Sequence, residues 1–477
     1  NMDGAAMHLG FAGITSFPKT AASESNFLRR AFGGSRVCRK RSGQFCYRND
    51  FSKFRFCFQA SASLEHSISL VATVGQGIEA LVKREIEGLN VAESLKAENG
   101  RCRFLVRDGP AAAAKSLLGL RCAHRLYALL KEFPASTFDE VYEAVASIPW
   151  EDWFNKDVNV TVLAKSTNSK LLSKVTLQRI GKKALVDRLQ RKFGSSLPET
   201  GPTAFVVVSI QNDLGEILLD LGGRDGLHKR GYRELVGVAP LKETLASAML
   251  SIAWWKPHRP LLDPFCGSGT IPIEAALKAF NIAPGLDRSF DCEDWPWMPR
   301  GVFDTARQEA RDHVTIDREV EIFGSDVSSE AIQLAEFHAK NAGLPQRSIR
   351  FRHQDVSEIK GGKFSPYGCI ITNPPYGERT DPRDVRAAYR DLRNLFDGLD
   401  QWSIFVIASR ESGFERVFGR KPTKTRKVYN GRIVSDILQW FGPLPPRLPR
   451  ASPSSQEDSS SSPAETQDTT HLTPLAS

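Results

Sequence analysis

The residue types that could do chemistry gather in four short clusters in the C-terminal half of the chain. The most specific is Asn373-Pro374-Pro375-Tyr376-Gly377-Glu378-Arg379, directly after the apolar run Cys369-Ile370-Ile371. Paired prolines fix φ and remove two backbone donors, so N-P-P-Y at a strand end reads as a rigid elbow. The elbow turns one side-chain amide and one free carbonyl outwards, with an aromatic ring beside them. That set suits an exocyclic amine on a planar base, a poor nucleophile because its lone pair is delocalised into the ring. Two acceptors, the Asn373 side-chain oxygen and the Pro374 carbonyl, can hold its two hydrogens. They orient the lone pair and stabilise the positive charge that develops on attack. Tyr376 can stack on the base. Asn373, Pro374 and Tyr376 are therefore the candidate catalytic residues.

The other three clusters suit a nucleoside-like cofactor. Leu262-Asp263-Pro264-Phe265-Cys266-Gly267-Ser268-Gly269-Thr270 precedes a helical stretch at Ile271–Phe280. Glycines there let the backbone turn tightly off a strand and approach a ligand closely. No G-K-[ST] follows, so it is not a P-loop, and the third glycine of the dinucleotide fingerprint is missing. Phe323-Gly324-Ser325-Asp326 places an acid where it can hold two ribose hydroxyls. His353-Gln354-Asp355-Val356 places another where it can meet a base amine. Taken singly, the glycine segment also reads as a plain strand-to-helix turn, and each acid also reads as a helix N-cap. Asp263 and Asp326 are 63 residues apart, against about 20 in the usual fingerprint. The excess marks an insertion near Ala283–Val314 that contains Trp295-Pro296-Trp297.

Positioning these clusters requires an open sheet. Strand-like runs at Pro260–Leu262, Glu321–Gly324, Ile349–His353, Gly368–Thr372 and Trp402–Ala408 alternate with helices, the rhythm of a doubly wound parallel sheet. The end differs: Lys427–Tyr429, an Asn430-Gly431 turn and Arg432–Trp440 form a terminal antiparallel hairpin. Residues 67–225 read as a smaller α+β module. Its expected strands are Ser67–Val74, Cys102–Val106, Val158–Ala164, Ala204–Ile210 and Ile217–Leu221, the last two joined by Gln211–Gly215. Its expected helices are Ile78–Leu89, Ala111–Leu130 and a basic amphipathic helix over Ser173–Phe193. The basic helix carries Lys174, Arg179, Lys182, Lys183, Arg188, Arg191 and Lys192 around an apolar stripe of Val175, Ile180, Leu185 and Leu189. With no catalytic set in the module, that helix suits phosphate docking. It equally suits a solvated face on a packed helix.

The chain has 477 residues, 25% charged and 41% hydrophobic, and a net charge of +9. That length implies two to three domains at about 150 residues each. Most of the charge is off the body. Residues 1–63 carry +7, rich in Ser, Ala, Gly and Phe with late arginines and no apolar core segment. They read as an organellar transit peptide, leaning to chloroplast over mitochondrion, or as a basic arm that binds RNA itself. Residues 451–477 are Ser/Thr/Pro-rich with four acids and no Lys or Arg, a composition that cannot fold alone. The body keeps +6. Eight cysteines and nine histidines without C-x-x-C or H-x-x-x-H spacing argue against zinc or disulfide scaffolds. No apolar run reaches the length of a membrane span.

D-P-F-C-G-S-G-T, the acids Asp326 and Asp355, and N-P-P-Y-G-E-R together resemble the THUMP-containing S-adenosylmethionine-dependent RNA methyltransferases. Within them the likeness is to the subgroup of the N-terminal half of the bacterial large-subunit ribosomal RNA guanine-N2-methyltransferase. It extends over about Ser67–Pro445, through Leu227-His228-Lys229-Arg230-Gly231-Tyr232-Arg233, Ala239-Pro240-Leu241-Lys242-Glu243 and Tyr429-Asn430-Gly431. The resemblance implies an α/β fold: a Rossmann-like methyltransferase domain over 226–445, preceded by a ferredoxin-like and THUMP module over 67–225 that docks RNA. It implies S-adenosylmethionine as cofactor. Asp263, Gly267 and Gly269 would contact the methionine moiety, Asp326 the ribose hydroxyls and Asp355 the adenine amine, with Phe265, Thr270 and Asn373 also among the cofactor-binding residues. Lys174, Arg179, Lys182, Lys183, Lys229, Arg230 and Arg233 become candidate RNA contacts. The implied reaction methylates a guanine amine in organellar large-subunit ribosomal RNA and needs no metal. Transfer RNA guanine, an adenine amine, or a non-catalytic assembly factor are the alternatives.

Overall fold

The computed structural model describes residues 67–443 except 195–196, 234–240, 377–380 and 432, together with residue 446 and two short strands. Those strands, β1 (Val37–Arg39) and β2 (Phe45–Tyr47), pair antiparallel within a unit of their own. The rest of the basic arm and the acidic tail lie outside the described residues.

The N-terminal module is built on one seven-stranded sheet. Its strands are β3 (Ile68–Thr73), β4 (Ser94–Glu98), β5 (Arg101–Val106), β6 (Arg125–Pro134), β7 (Asn159–Thr167), β8 (Thr203–Gln211) and β9 (Leu214–Asp220), in the order β4-β5-β3-β6-β9-β8-β7. Helices α1 (Glu79–Leu89), α2 (Gly109–Gly119), α3 (Phe138–Ala146) and α4 (Lys174–Phe193) accompany it. Sequence reasoning expected one helix over Ala111–Leu130. The helix instead stops at Gly119, and Arg125–Leu130 begins β6, hydrogen-bonded to β3 on one side and β9 on the other. The helical preference of its Leu and Ala residues yields to two-sided strand pairing. The β8–β9 turn is tighter than expected: Asn212 and Asp213 both take positive φ, 53° and 58°, the geometry of a two-residue type I′ hairpin.

Helix α4 is capped by the Ser173 hydroxyl, which accepts from the Thr176 N–H, and ends at Gly194 with φ 68°. Its buried stripe is Leu177, Gly181, Ala184, Leu185 and Leu189. Val175, expected in the stripe, is 57% exposed. Gly181 lets α4 lie close on the sheet: a Cβ there would be 3.1 Å from the Val162 side chain and 3.3 Å from that of Val208.

The C-terminal domain has strands β10 (Leu261–Asp263), β11 (Ile322–Asp326), β12 (Arg350–His353), β13 (Cys369–Thr372), β14 (Ser403–Ser409), β15 (Lys424–Asn430) and β16 (Ile433–Trp440). Their order is β12-β11-β10-β13-β14-β16-β15. The first five are parallel, and β16 pairs antiparallel with both β14 and β15. Its helices are α5 (Glu243–Ile252), α6 (Thr270–Ala279), α7 (Val302–Asp312), α8 (Ser329–Asn341), α9 (Pro382–Asp397) and α10 (Phe414–Phe418). The two faces bury separate cores. Met249, Ile273 and Phe280 belong to one that continues into the N-terminal module; Tyr389, Phe396, Phe414 and Trp440 belong to the other.

The insertion, whose purpose the sequence left unexplained, fastens the module to the catalytic domain. Trp297 stacks on Trp153 with ring centroids 4.7 Å apart, and Trp295 meets Phe154 edge-on at 5.2 Å. The Gly285 N–H donates to the Leu118 carbonyl at 2.9 Å. Lys115 of α2 pairs with Glu309 of α7 at 2.6 Å. Aromatic pairs of this kind add to the apolar area they bury. Trp295→Ala should therefore cost about 3–5 kcal/mol, read as a fall in the urea midpoint. A loss below about 1 kcal/mol would contradict the fastening role.

Candidate active site

The order of the parallel strands reverses at β10: β11 and β12 extend on one side, β13 and β14 on the other. Crevices beyond the C-terminal ends of strands at such a switch point are where open α/β sheets bind ligands. A cavity of about 910 Å³ opens there, and Asp263, Phe265, Gly267, Thr270, Asp326, Asp355, Asn373 and Pro375 all line it. The switch point thus brings together residues from all four sequence clusters. The size suits a nucleoside-bearing cofactor.

The loop after β10 depends on two left-handed glycines, Gly267 at φ 51° and Gly269 at φ 82°. The Gly267 N–H donates to Asp326 Oδ2 at 2.9 Å, while the Ser328 N–H donates to Oδ1 at 3.0 Å. Asp326 therefore ties the β10 and β11 loops together while lining the cavity. Gly269, expected against the cofactor, is instead the N-cap of α6 and is not among the lining residues. A Cβ there would sit 2.9 Å from the Ala335 Cβ, so its place is the close approach of α6 to α8. Asp355 caps a short helical turn, its Oδ1 accepting from the Ser357 N–H at 2.9 Å and hydroxyl at 2.6 Å.

Asp263 is only 1% exposed. Its Oδ1 accepts from the Thr372 hydroxyl at 2.6 Å and the Phe265 N–H at 3.2 Å. Burial pushes its carboxyl up to about 7, with Asp326 adding to the rise and those two hydrogen bonds opposing it. Thr372 immediately precedes Asn373, so this bond joins the cofactor side of the cavity to the elbow.

At the elbow, the Tyr376 hydroxyl bonds the Asn373 Oδ1, so Tyr376 sets the orientation of the amide besides offering a ring. Pro374 is buried. The Pro375 carbonyl accepts from the Tyr389 hydroxyl at 2.6 Å. Tyr389 is fully buried and packs edge-on against Phe414 at 4.6 Å. Sequence reasoning missed Thr372 and Tyr389, whose places are visible only once β10, β13 and α9 are assembled. It also missed Glu330, Asp384 and Asp391. With Asp263, Asp326 and Asp355 they put six carboxyl groups around the cavity, and no Lys or Arg is among its described lining residues. That electrostatic environment favours a cationic ligand.

Two expected RNA contacts are corrected. Arg230 is 6% exposed and pairs with the fully buried Glu274 at 3.3 Å, while also donating to the Leu227 carbonyl at 2.6 Å. Burying that charge requires its partner, and the pair anchors α6 to the segment entering the domain. Arg233 pairs with Glu243 at 3.5 Å and bonds the Thr270 hydroxyl. Both guanidinium groups are committed inside the protein. Lys182 is half-buried and reaches the Val160 carbonyl at 2.7 Å, and Lys229 pairs with Asp225 at 2.7 Å. Lys174, Arg179 and Lys183 are exposed on α4.

The buried acid predicts a pH effect on stability. Unfolded, the carboxyl titrates near 3.9; folded, near 7. Between those values the native state keeps a proton that the unfolded chain has lost. Stability should fall as pH rises through this window and level off above it. Asp263→Asn cannot ionise, so the stability of wild type relative to the variant should drop by roughly 2 kcal/mol between about pH 5 and about pH 8, measured by denaturant unfolding. A pH-independent difference would contradict the raised value.

Comparison with known proteins agrees with this geometry. Residues 230–438 match an RMKL-like methyltransferase domain, 135–220 a THUMP domain and 69–127 an RlmL ferredoxin-like domain. The "Putative RNA methyltransferase YpsC" of Bacillus subtilis is 40% identical over 384 residues, covering 80% of this chain and 97% of that protein. A crystal structure from Listeria monocytogenes described as a "predicted N6-adenine-specific DNA methylase" is 42% identical. It covers 79% of this chain and 97% of its own, with a TM-score of 0.73. SMU.472, described as "a putative methyltransferase complexed with SAH", is 36% identical over 80% and 99%, also at 0.73. The chain belongs to this family of S-adenosylmethionine-dependent methyltransferases, which couple a THUMP and ferredoxin-like module to an RMKL-like catalytic domain.

Proposed function

We propose that the chain methylates the exocyclic amine of a guanine in organellar large-subunit ribosomal RNA, with residues 1–63 serving as the organelle address. The observation that carries the reaction class is that Asn373 and Pro375 of the elbow line the same cavity as Asp263, Asp326 and Asp355. The THUMP module and the relative named as an RNA methyltransferase support RNA as the substrate. The guanine and the ribosomal target rest on the sequence resemblance.

The acidic cavity fits the cofactor's net positive charge. Asp326 would hold the ribose hydroxyls and Asp355 the adenine amine, with Asp263 beside the methionine ammonium. S-adenosylmethionine, when bound, supplies an electrophilic methyl group on sulfur. The Asn373 oxygen and the Pro374 carbonyl hold the two hydrogens of the target amine and aim its lone pair. Those two acceptors would also stabilise the positive charge that develops on that nitrogen until it gives up a proton to solvent. The target base must leave its stack, at a cost of a few kcal/mol, offset by stacking and backbone contacts. The elbow chemistry serves an adenine amine equally well, which the naming of the Listeria protein brings forward as the second reading.

The test is transfer of tritium from labelled cofactor to organelle ribosomal RNA. Asn373→Ala should lose about 100-fold or more in turnover while still binding S-adenosylhomocysteine; full activity in the variant would contradict the amine-holding role. Tyr389→Phe should lower turnover about ten-fold with cofactor affinity unchanged, because it frees the Pro375 carbonyl and loosens the elbow. An unchanged turnover would show that the elbow holds its shape without that bond.

A further inference from the structure

Next to the elbow, a second concavity of about 680 Å³ follows the same edge of the sheet. Its floor is Ala408 of β14 with Asp436 and Leu438 of β16. Phe414 and Arg416 of α10 form one wall, and Arg420 and Lys421 come from the connection to β15.

The strand registers place this groove level with the elbow. Thr372 pairs with Val406, so the chain leaves β13 beside Ile407–Ser409; Ala408 pairs with Asp436, and Asp436 with Lys427. At about 4.8 Å per strand, Lys427 stands roughly 14 Å from the elbow. Helix α9 links the two sites. Its Ala387, Ala388 and Asp391 line the cofactor cavity, while its Tyr389 packs on Phe414, which lines the groove.

The two concavities differ in charge. Carboxylates surround the cofactor cavity, whereas the groove is lined by Arg410, Arg416, Arg420 and Lys421, with Glu411, Glu415 and Asp436 as its acids. Asp436 is already engaged by both ends of the Arg410 guanidinium, at 2.7 and 2.9 Å. Beyond the lining residues, on β15 at the rim, lie Lys427 and Tyr429, with the ammonium over one face of the ring, 5.2 Å from its centroid. Tyr429 is 37% exposed. Cations beside an exposed aromatic face are the recurring means of holding an unpaired nucleic-acid strand.

We propose that this groove holds the single-stranded RNA segment adjoining the target nucleotide, with phosphates on Arg416, Arg420, Lys421 and Lys427 and a base on Tyr429. The proposal rests on the RNA reading above. In-line transfer requires the amine to meet the methyl group from the side opposite sulfur, so the strand carrying the base must arrive past the elbow and not through the cofactor cavity. The groove adjoins the elbow along that edge. An acidic polypeptide would satisfy the cations but make no use of the Tyr429 face.

The test measures binding of a fluorescein-labelled oligouridine RNA to the full chain over a range of salt concentrations. The double variant Arg416→Glu/Lys421→Glu should weaken binding on the order of ten-fold or more. It should also flatten the slope of log affinity against log salt by about 1 to 1.5. Tyr429→Ala should weaken binding about ten-fold with the slope unchanged. Retained S-adenosylhomocysteine affinity by calorimetry identifies folded variants. If wild type binds RNA and the folded variants match it in affinity and slope, the groove assignment is overturned and the RNA reading stands. Displacement of the RNA by polyglutamate at equal charge also overturns it. If wild type binds no RNA, both readings fall.

Discussion

One buried hydrogen bond, from the Thr372 hydroxyl to Asp263 Oδ1, spans the point on which the site depends. Its partners are 109 residues apart in the chain and 2.6 Å apart in space. They stand on the two parallel strands where the sheet changes direction, β10 and β13, so the bond holds the cofactor side and the acceptor side in register. A carboxyl so deeply buried is costly when ionised and unpartnered. The Thr372 hydroxyl and the Phe265 N–H meet part of that cost, and a cationic ligand would meet more. The acidity of the cavity is thus both a stability cost and a source of attraction for a cationic ligand.

The same economy governs how the THUMP and ferredoxin-like module is held. The Trp153–Trp297 stack, the Lys115–Glu309 pair and a shared hydrophobic core join the module to the catalytic domain. The buried Arg230–Glu274 pair adds a polar tie, since Arg230 also donates to the Arg121 carbonyl of the module. Glu274 lies on α6, directly behind the glycine loop, so the tie that fixes the module also fixes the cofactor loop.

Much of this was legible in the sequence because its signals are local. A proline pair after an apolar run, two glycines before a helix and an Asn-Gly turn each constrain the backbone within a few residues. The strand rhythm placed β10 to β14 to within a residue or two. Signals that depend on partners were misread. Arg230 and Arg233 look like surface cations until Glu274 and Glu243 are brought against them. Arg125–Leu130 looks helical until β3 and β9 flank it. Gly269 serves the packing of α6 on α8, a contact between segments more than 60 residues apart. Tyr389 and Thr372 have no motif, because their importance comes only from what they touch.

The central claim is that the elbow presents a base amine to the cofactor. Nucleoside mass spectrometry of organelle ribosomal RNA, after incubation with the purified chain and S-adenosylmethionine, tests it most directly. The account predicts N2-methylguanosine at a single position, absent when the cofactor is omitted. Methyl groups appearing only on ribose or on a ring carbon, or no gain at all, would contradict it.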